Sequence, residues 1–284
     1  MTLPLPLLDV APADAHPVTR PGDTWTIDDG RRRRGLVQLH CADALAVEWG
    51  GAPDLVFSDP PFGMGRFTKA PGTAGRLRGV LAGPPTDHGA LAGDASAELA
   101  ERAAAHFLAQ WPEAVQVWWG ANLYRAGPPS TGWIVWDKTG GGRVVNDNAD
   151  CEMAWTNRAG PTRLVSHLWR GMVRDSEHGE RRQHPTQKPV ALARWVIEAW
   201  PKMRGSPFRP MVVYEPFAGV APAMVVAYDR GLIYRGAELD HGYVDAAVAR
   251  LLRWRPGAVA TNQRGEDFVA LRRGRKRDGT NESA

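Results

Sequence analysis

Cysteine is nearly absent from the 284 residues: only Cys41 and Cys151 occur. Two thiols so far apart build neither a disulfide framework nor a thiolate metal site, so a reducing compartment, the cytoplasm, is expected. Long apolar runs are missing too. No stretch approaches the roughly 18 residues that span a bilayer, which excludes a membrane-crossing helix. The opening Met1–Leu8 is broken by Pro4 and Pro6 and soon meets Asp9, a poor export signal. The eight histidines include no pair four residues apart, so no metal site is expected. Lysine is scarce, five of the 35 basic residues. Arginine's planar fork suits phosphates, although a GC-rich coding sequence produces the same bias, and the net charge of +4 is too small to demand a polyanionic partner.

What is present divides into three parts. Residues 1–34 are rich in Pro, Asp and Thr, end in Arg31–Arg34 and show no periodicity, which predicts a disordered arm. Residues 35–262 read as one domain, and residues 263–284 as a basic, disordered tail. Inside the domain, Leu36–Leu39 and Asp54–Ser58 read as strands, Ala95–Gln110 as a helix, and Val115–Trp119, Trp133–Trp136 and Cys151–Trp155 as further strands. Pro189 opens another helix. The last third alternates strand and helix: Met211–Tyr214, Pro222–Arg230, Leu232–Glu238, Tyr243–Trp254. That order predicts an α/β fold, a Rossmann-like doubly wound and mostly parallel sheet. Two segments, about 64–93 and 140–182, read as insertions.

Three constellations carry chemistry. Asp59-Pro60-Pro61-Phe62 follows a strand, at the edge where open α/β sheets bind ligands. The amino group of a nucleobase is a poor nucleophile because its lone pair is delocalised into the ring. The Asp59 carboxylate and the Pro60 carbonyl, stiffened by Pro61, could accept its two hydrogens and localise that pair, with Phe62 offering a flat face to a base turned out of the stack. Taken alone the motif is equally a strand-ending turn. The second constellation, Glu215-Pro216-Phe217-Ala218-Gly219, sits between strand and helix. Gly219 permits close approach of a ligand, and Glu238 at the end of the next strand suits ribose hydroxyls. The third, His184-Pro185-Thr186-Gln187-Lys188-Pro189, enters a helix whose N-terminus could hold a carboxylate. Most of the 12 tryptophans read as core; Trp119 and Trp136, near strand ends, are candidates for base stacking.

Together these segments resemble the permuted β group of DNA amino-methyltransferases, the N6-adenine and N4-cytosine DNA methylases. Asp59–Phe62 is similar to the family's catalytic D/S-P-P-Y/F/W. His184–Pro189 matches H-P-T-Q-K-P, Gly236–Tyr243 matches G-x-E-x-D-x-x-Y, and Asp43 matches an acidic position at the cofactor adenine. Trp119–Tyr124, Trp136–Lys138, Glu152–Thr156 and Leu168–Gly171 resemble phage and prophage DNA methylases. The resemblance spans residues 36–255. It implies methyl transfer from S-adenosylmethionine to an exocyclic amino group in double-stranded DNA, adenine N6 before cytosine N4 or RNA. Asp59, Pro60, Pro61 and Phe62 are the implied catalytic residues. Asp43, His184, Thr186, Lys188, Glu215, Phe217, Ala218, Gly219 and Glu238 are the implied cofactor residues. A homodimer is compatible with it; a metal or a membrane is not called for. One departure stands out: where the family reads D-P-F-x-G-S-G-T, this chain has Val220-Ala221-Pro222 after Gly219. A Cβ at Ala221 costs roughly 1 kcal/mol if φ must be positive. That leaves open a DNA-binding homologue with an impaired cofactor loop.

Overall fold

The computed structural model describes residues 17–28, 36–63, 93–142, 149–170, 173–180, 182–184, 186–199 and 212–281. Ten strands form one sheet: β1 (Thr24–Asp28), β2 (Val37–Cys41), β3 (Leu55–Ser58), β4 (Val115–Trp119), β5 (Trp133–Asp137), β6 (Cys151–Thr156), β7 (Arg163–Ser166), β10 (Val212–Pro216), β11 (Ile233–Glu238) and β12 (Val259–Asn262). Two short strands, β8 (Trp169–Arg170) and β9 (Val173–Arg174), pair with each other. The helices are α1 (Glu98–Gln110), α2 (Val190–Arg194, continued by a π turn over Trp195–Ala199), α3 (Pro222–Arg230), α4 (His241–Trp254) and α5 (Phe268–Asn281).

The strand order is β12-β1-β2-β11-β10-β3-β4-β6-β5-β7. Its centre, β2-β11-β10-β3-β4, is parallel throughout, and β3 and β4 are buried at every residue, as strands covered on both faces must be. Side-chain alternation sorts the core into two layers. Leu55, Phe57 and Val213 pack with Val225 and Val226 of α3, whereas Val56 and Tyr214 pack with Trp49 and with Ala100, Ala103, Ala104 and Phe107 of α1. Those four residues of α1 lie at i, i+3, i+4 and i+7, one face of a helix. From β3 the chain crosses through α1 to β4, and from adjacent β10 it crosses through α3 to β11, in opposite directions. The carboxyl ends of β3 and β10 therefore flank a topological switch point, where a crevice opens in doubly wound sheets.

Three expectations need correction. The arm read over 1–34 contains a strand: β1 pairs with both β2 and β12, Trp25 is fully buried, and the Val18 and Thr19 amides donate to buried Asp245. The tail read from 263 onward contains α5, whose Phe268 meets Trp25 edge-on at 5.2 Å. The segment 140–182 is only in part an insertion, because β6 lies between β4 and β5 inside the sheet. Residues 64–92 of the other predicted insertion lie outside the described residues. Among the described residues no helix is long and apolar enough to cross a membrane.

Candidate active site

The segment after β3 is held open at the crevice by contacts from three directions. The Ser58 hydroxyl donates to the Pro216 carbonyl at 3.4 Å, tying the end of β3 to that of β10. The Gly63 amide donates to Asp94 Oδ1 at 2.8 Å, fastening the segment to the approach to α1. Phe62 lies against Gly120, which has φ +75°; a side chain there would run into the Phe62 ring. Phe62 and Tyr124 stack in offset fashion, centroids 6.0 Å apart and planes 22° apart, and the Tyr124 hydroxyl is anchored on the Trp119 carbonyl at 3.0 Å.

Asp59 is the electrostatic centre. Its Oδ2 accepts from Lys188 Nζ at 2.5 Å, while its Oδ1 is buried without a partner among the described residues. Lys188 also meets Glu152 Oε2 at 3.0 Å, and Glu152 Oε1 takes Lys138 Nζ at 3.0 Å. Burial lifts the Asp59 carboxyl above the usual aspartate range; Lys188 opposes this and Glu152 adds to it. Glu152 is partly exposed, 31% at the side chain, and the Lys188 and Lys138 ammoniums hold it below the glutamate range against the opposing effect of desolvation.

The opposite wall is the turn after β10. Phe217 (φ 59°), Gly219 (φ 53°) and Ala221 (φ 49°) all lie in the left-handed region, an unusual density for a turn with one glycine among the three. Amides hold it in place: Ala218 donates to the Ala237 carbonyl, and Gly219 donates to Glu238 Oε2, both at 2.8 Å. Glu238 Oε1 accepts from the Asp240 amide at 2.9 Å. Burial pushes the Glu238 carboxyl up to about 7 despite those donors. His184 lies over Gly219, so that a Cβ there would sit 3.6 Å from its Cδ2, and its ring is 4.3 Å from that of Tyr243. The Thr186 hydroxyl and amide both face His184 Nδ1.

One cavity of about 340 Å³ joins the two walls. Asp59, Pro60, Pro61, Phe62, Asp43, His184, Thr186, Lys188, Glu215, Phe217, Ala218, Gly219 and Glu238 all line it. Two of them stand differently from expectation. The Lys188 ammonium is engaged by Asp59 and Glu152, so it belongs to the wall that carries the D-P-P-F segment. Glu215 turns inward: Oε1 accepts from the Ala223 amide at 3.3 Å and Oε2 from the Tyr234 hydroxyl at 2.6 Å. It braces the start of α3, and burial raises its carboxyl to about 8. The N-terminus of α2 is not an open anion site either. The Val190 amide donates to Glu177 Oε1 at 2.8 Å, and the Leu192 and Ala193 amides reach the Pro189 carbonyl. Trp119 and Trp136 are buried and meet edge-on at 6.3 Å, core residues and not stacking platforms. Sequence reasoning assigned no role to Glu152, Lys138, Gly120 or Tyr124. Gly120 and Tyr124 follow β4 and back Phe62, while Glu152 and Lys138 come from the antiparallel pair β6 and β5 and reach Asp59 through Lys188, a pairing no local pattern announces.

Fold and site thus define a doubly wound α/β protein with a largely apolar cleft at the switch point, into which a few carboxylates converge. Neither a protein-family profile nor a curated protein matches the chain. Among solved structures, it is similar to M1.HpyAVI in complex with SAM, at 18% identity and a TM-score of 0.43 over 75% of this chain and 98% of that one. It is also similar to the PvuII DNA methyltransferase (cytosine-N4-specific), at 14% identity and a TM-score of 0.43 over 75% of this chain and 86% of that one.

Proposed function

We propose that the chain transfers a methyl group from S-adenosylmethionine to the exocyclic amino group of a base flipped out of double-stranded DNA, adenine N6 before cytosine N4. The observation that carries this is the buried Oδ1 of Asp59, which has no partner among the described residues and shares a cavity with the Gly219 turn and Glu238. A buried carboxylate oxygen without a donor costs about 1–3 kcal/mol or more. A ligand N–H is what would satisfy it.

The donor set fits the cofactor. Glu238, at the end of β11, suits the ribose hydroxyls; Asp43 suits the adenine end; the Gly219 turn gives close backbone approach. Bound there, S-adenosylmethionine supplies an electrophilic methyl group. The protein's own part is to prepare the nucleophile. Asp59 Oδ1 and the Pro60 carbonyl accept the two amino hydrogens, which localises the lone pair on nitrogen. Phe62, backed by Tyr124 and Gly120, holds the ring plane. Once the nitrogen has gained a fourth bond it must shed a proton, and Oδ1 is the base beside it. Orientation and electrostatics supply most of the rate.

The test is tritiated methyl transfer to duplex DNA followed by nucleoside analysis, with Asp59→Ala as control. Labelled N6-methyladenine from the native chain and a loss of at least 10³-fold in the variant is the expected result. Label in N4-methylcytosine or in RNA reassigns the acceptor, and no label rejects transfer. A second reading, a DNA-binding homologue that no longer uses the cofactor, rests on Ala221 at φ 49° in the turn. Calorimetry with S-adenosylmethionine separates the two: absence of binding at millimolar ligand favours the second.

A further inference from the structure

Two inequivalent oxygens on one carboxylate call for an explanation. Lys188 Nζ sits 2.5 Å from Asp59 Oδ2, and Oδ1 has no partner among the described residues. The Lys188 side chain is 6% exposed, so its charge answers to its neighbours and not to water. Those neighbours alternate in sign: Lys138, Glu152, Lys188, Asp59, at 3.0, 3.0 and 2.5 Å. The ladder follows from the fold. Glu152 pairs with Trp136 across β5 and β6, which puts Lys138, two residues on, diagonally beside Glu152 on the same face. Lys188 enters from the turn that also lays His184 over Gly219. Two ammoniums against two carboxylates leave the row neutral; removal of Lys188 leaves the Asp59 carboxylate without its counterpart, whereas removal of Glu152 leaves Lys188 to Asp59 alone.

We infer that Lys188, held by Glu152 and through it by Lys138, is a positioning residue that fixes the Asp59 carboxylate with Oδ1 turned to the substrate amino group and sets its charge. The inference rests on the methyl-transfer reading for the identity of that substrate, but not for the ladder itself. Among the described residues, the groups that act on Asp59 are Lys188 from the turn before α2, Glu152 from β6 and the Tyr124 hydroxyl beyond β4. Lys138 and Arg182 stand behind Glu152, and Asp94 and Arg102 share the cavity wall.

The two inner members push Asp59 in opposite directions, and that opposition is the test. Carbon-13 titration of the aspartate carboxyls in the full chain, with the Asp59 signal assigned by its loss in Asp59→Asn, reads the charge directly. Lys188→Met is expected to move the Asp59 midpoint up by at least one pH unit, and Glu152→Gln to move it down. S-adenosylmethionine affinity by calorimetry should stay within threefold of the native chain in both. Midpoints that stay put in both variants overturn the inference. So does a tenfold or greater loss of cofactor affinity in Lys188→Met with an unmoved midpoint, because that assigns the ammonium to the cofactor. If Lys188→Met does not fold, Glu152→Gln decides alone: a lowered midpoint supports the ladder, an unmoved one rejects it. A native chain that transfers no methyl sinks the proposed function and leaves the titration to judge the ladder.

Discussion

Ala221 carries a Cβ into the left-handed region, with φ 49° and ψ 62°, at the entry to α3. Replacing it with glycine relieves roughly 1 kcal/mol of strain, while losing a fully buried methyl costs about 0.8 kcal/mol. The two nearly cancel, so Ala221→Gly should leave the melting temperature almost unchanged yet tighten S-adenosylmethionine binding severalfold by calorimetry. Unchanged affinity would clear Ala221 of any cost to the cofactor. The two high carboxyls give pH signatures of their own. In the proposed role Glu238, at about 7, would accept ribose hydroxyls as the carboxylate, so cofactor affinity is expected to rise with pH between 6 and about 8. Glu215, at about 8 in the fold against roughly 4.3 in an unfolded chain, binds its proton more tightly when folded. Its contribution is therefore intact below the unfolded value and is lost progressively as pH rises toward 8. Glu215→Gln should raise the denaturation midpoint at pH 8.5 and change it little at pH 5.

At the scale of elements, the pieces that the sequence hid are those whose stability comes from a distant partner. Thr24-Trp25-Thr26-Ile27 alternates, but over four residues, and Pro and Asp flank it. Only β2, β12 and the docking of Phe268 make it a strand. The basic run of α5 likewise masks the short apolar patch, Phe268, Val269 and Leu271, that seats it. Phe268→Ala should destabilise the protein by about 3–5 kcal/mol, in the range for deleting a buried ring, and expose Trp25 to a fluorescence quencher. By contrast, α3 is legible to the residue: Pro222 sits at its start, and Gly231 closes it in the left-handed conformation. The site was legible in the same uneven way. Asp59 and Gly219 come just after strands, and Glu238 ends one, at limits that can be read locally. Lys188 could be found but not placed, because its partner Asp59 lies 129 residues away.

For the whole molecule, a ligand that binds only the folded state stabilises it by mass action, about 2.7 kcal/mol at a hundredfold excess over its dissociation constant. S-adenosylmethionine should therefore raise the melting temperature of the native chain, and equally that of Asp59→Ala, if the two walls of the cavity divide the labour as proposed. A shift abolished by Asp59→Ala would place the cofactor on the wrong wall. The sheet's order has a further consequence for biogenesis. β2 and β3 are made early, yet between them lie β11 and β10, drawn from residues 212–238. A nascent chain halted before residue 212 holds its sheet as two unjoined halves with bare parallel edges facing each other, the kind of surface that invites pairing with a stranger. Closure waits for a keystone that leaves the ribosome late, so prematurely terminated products should aggregate or need a chaperone even though they contain the whole D-P-P-F segment.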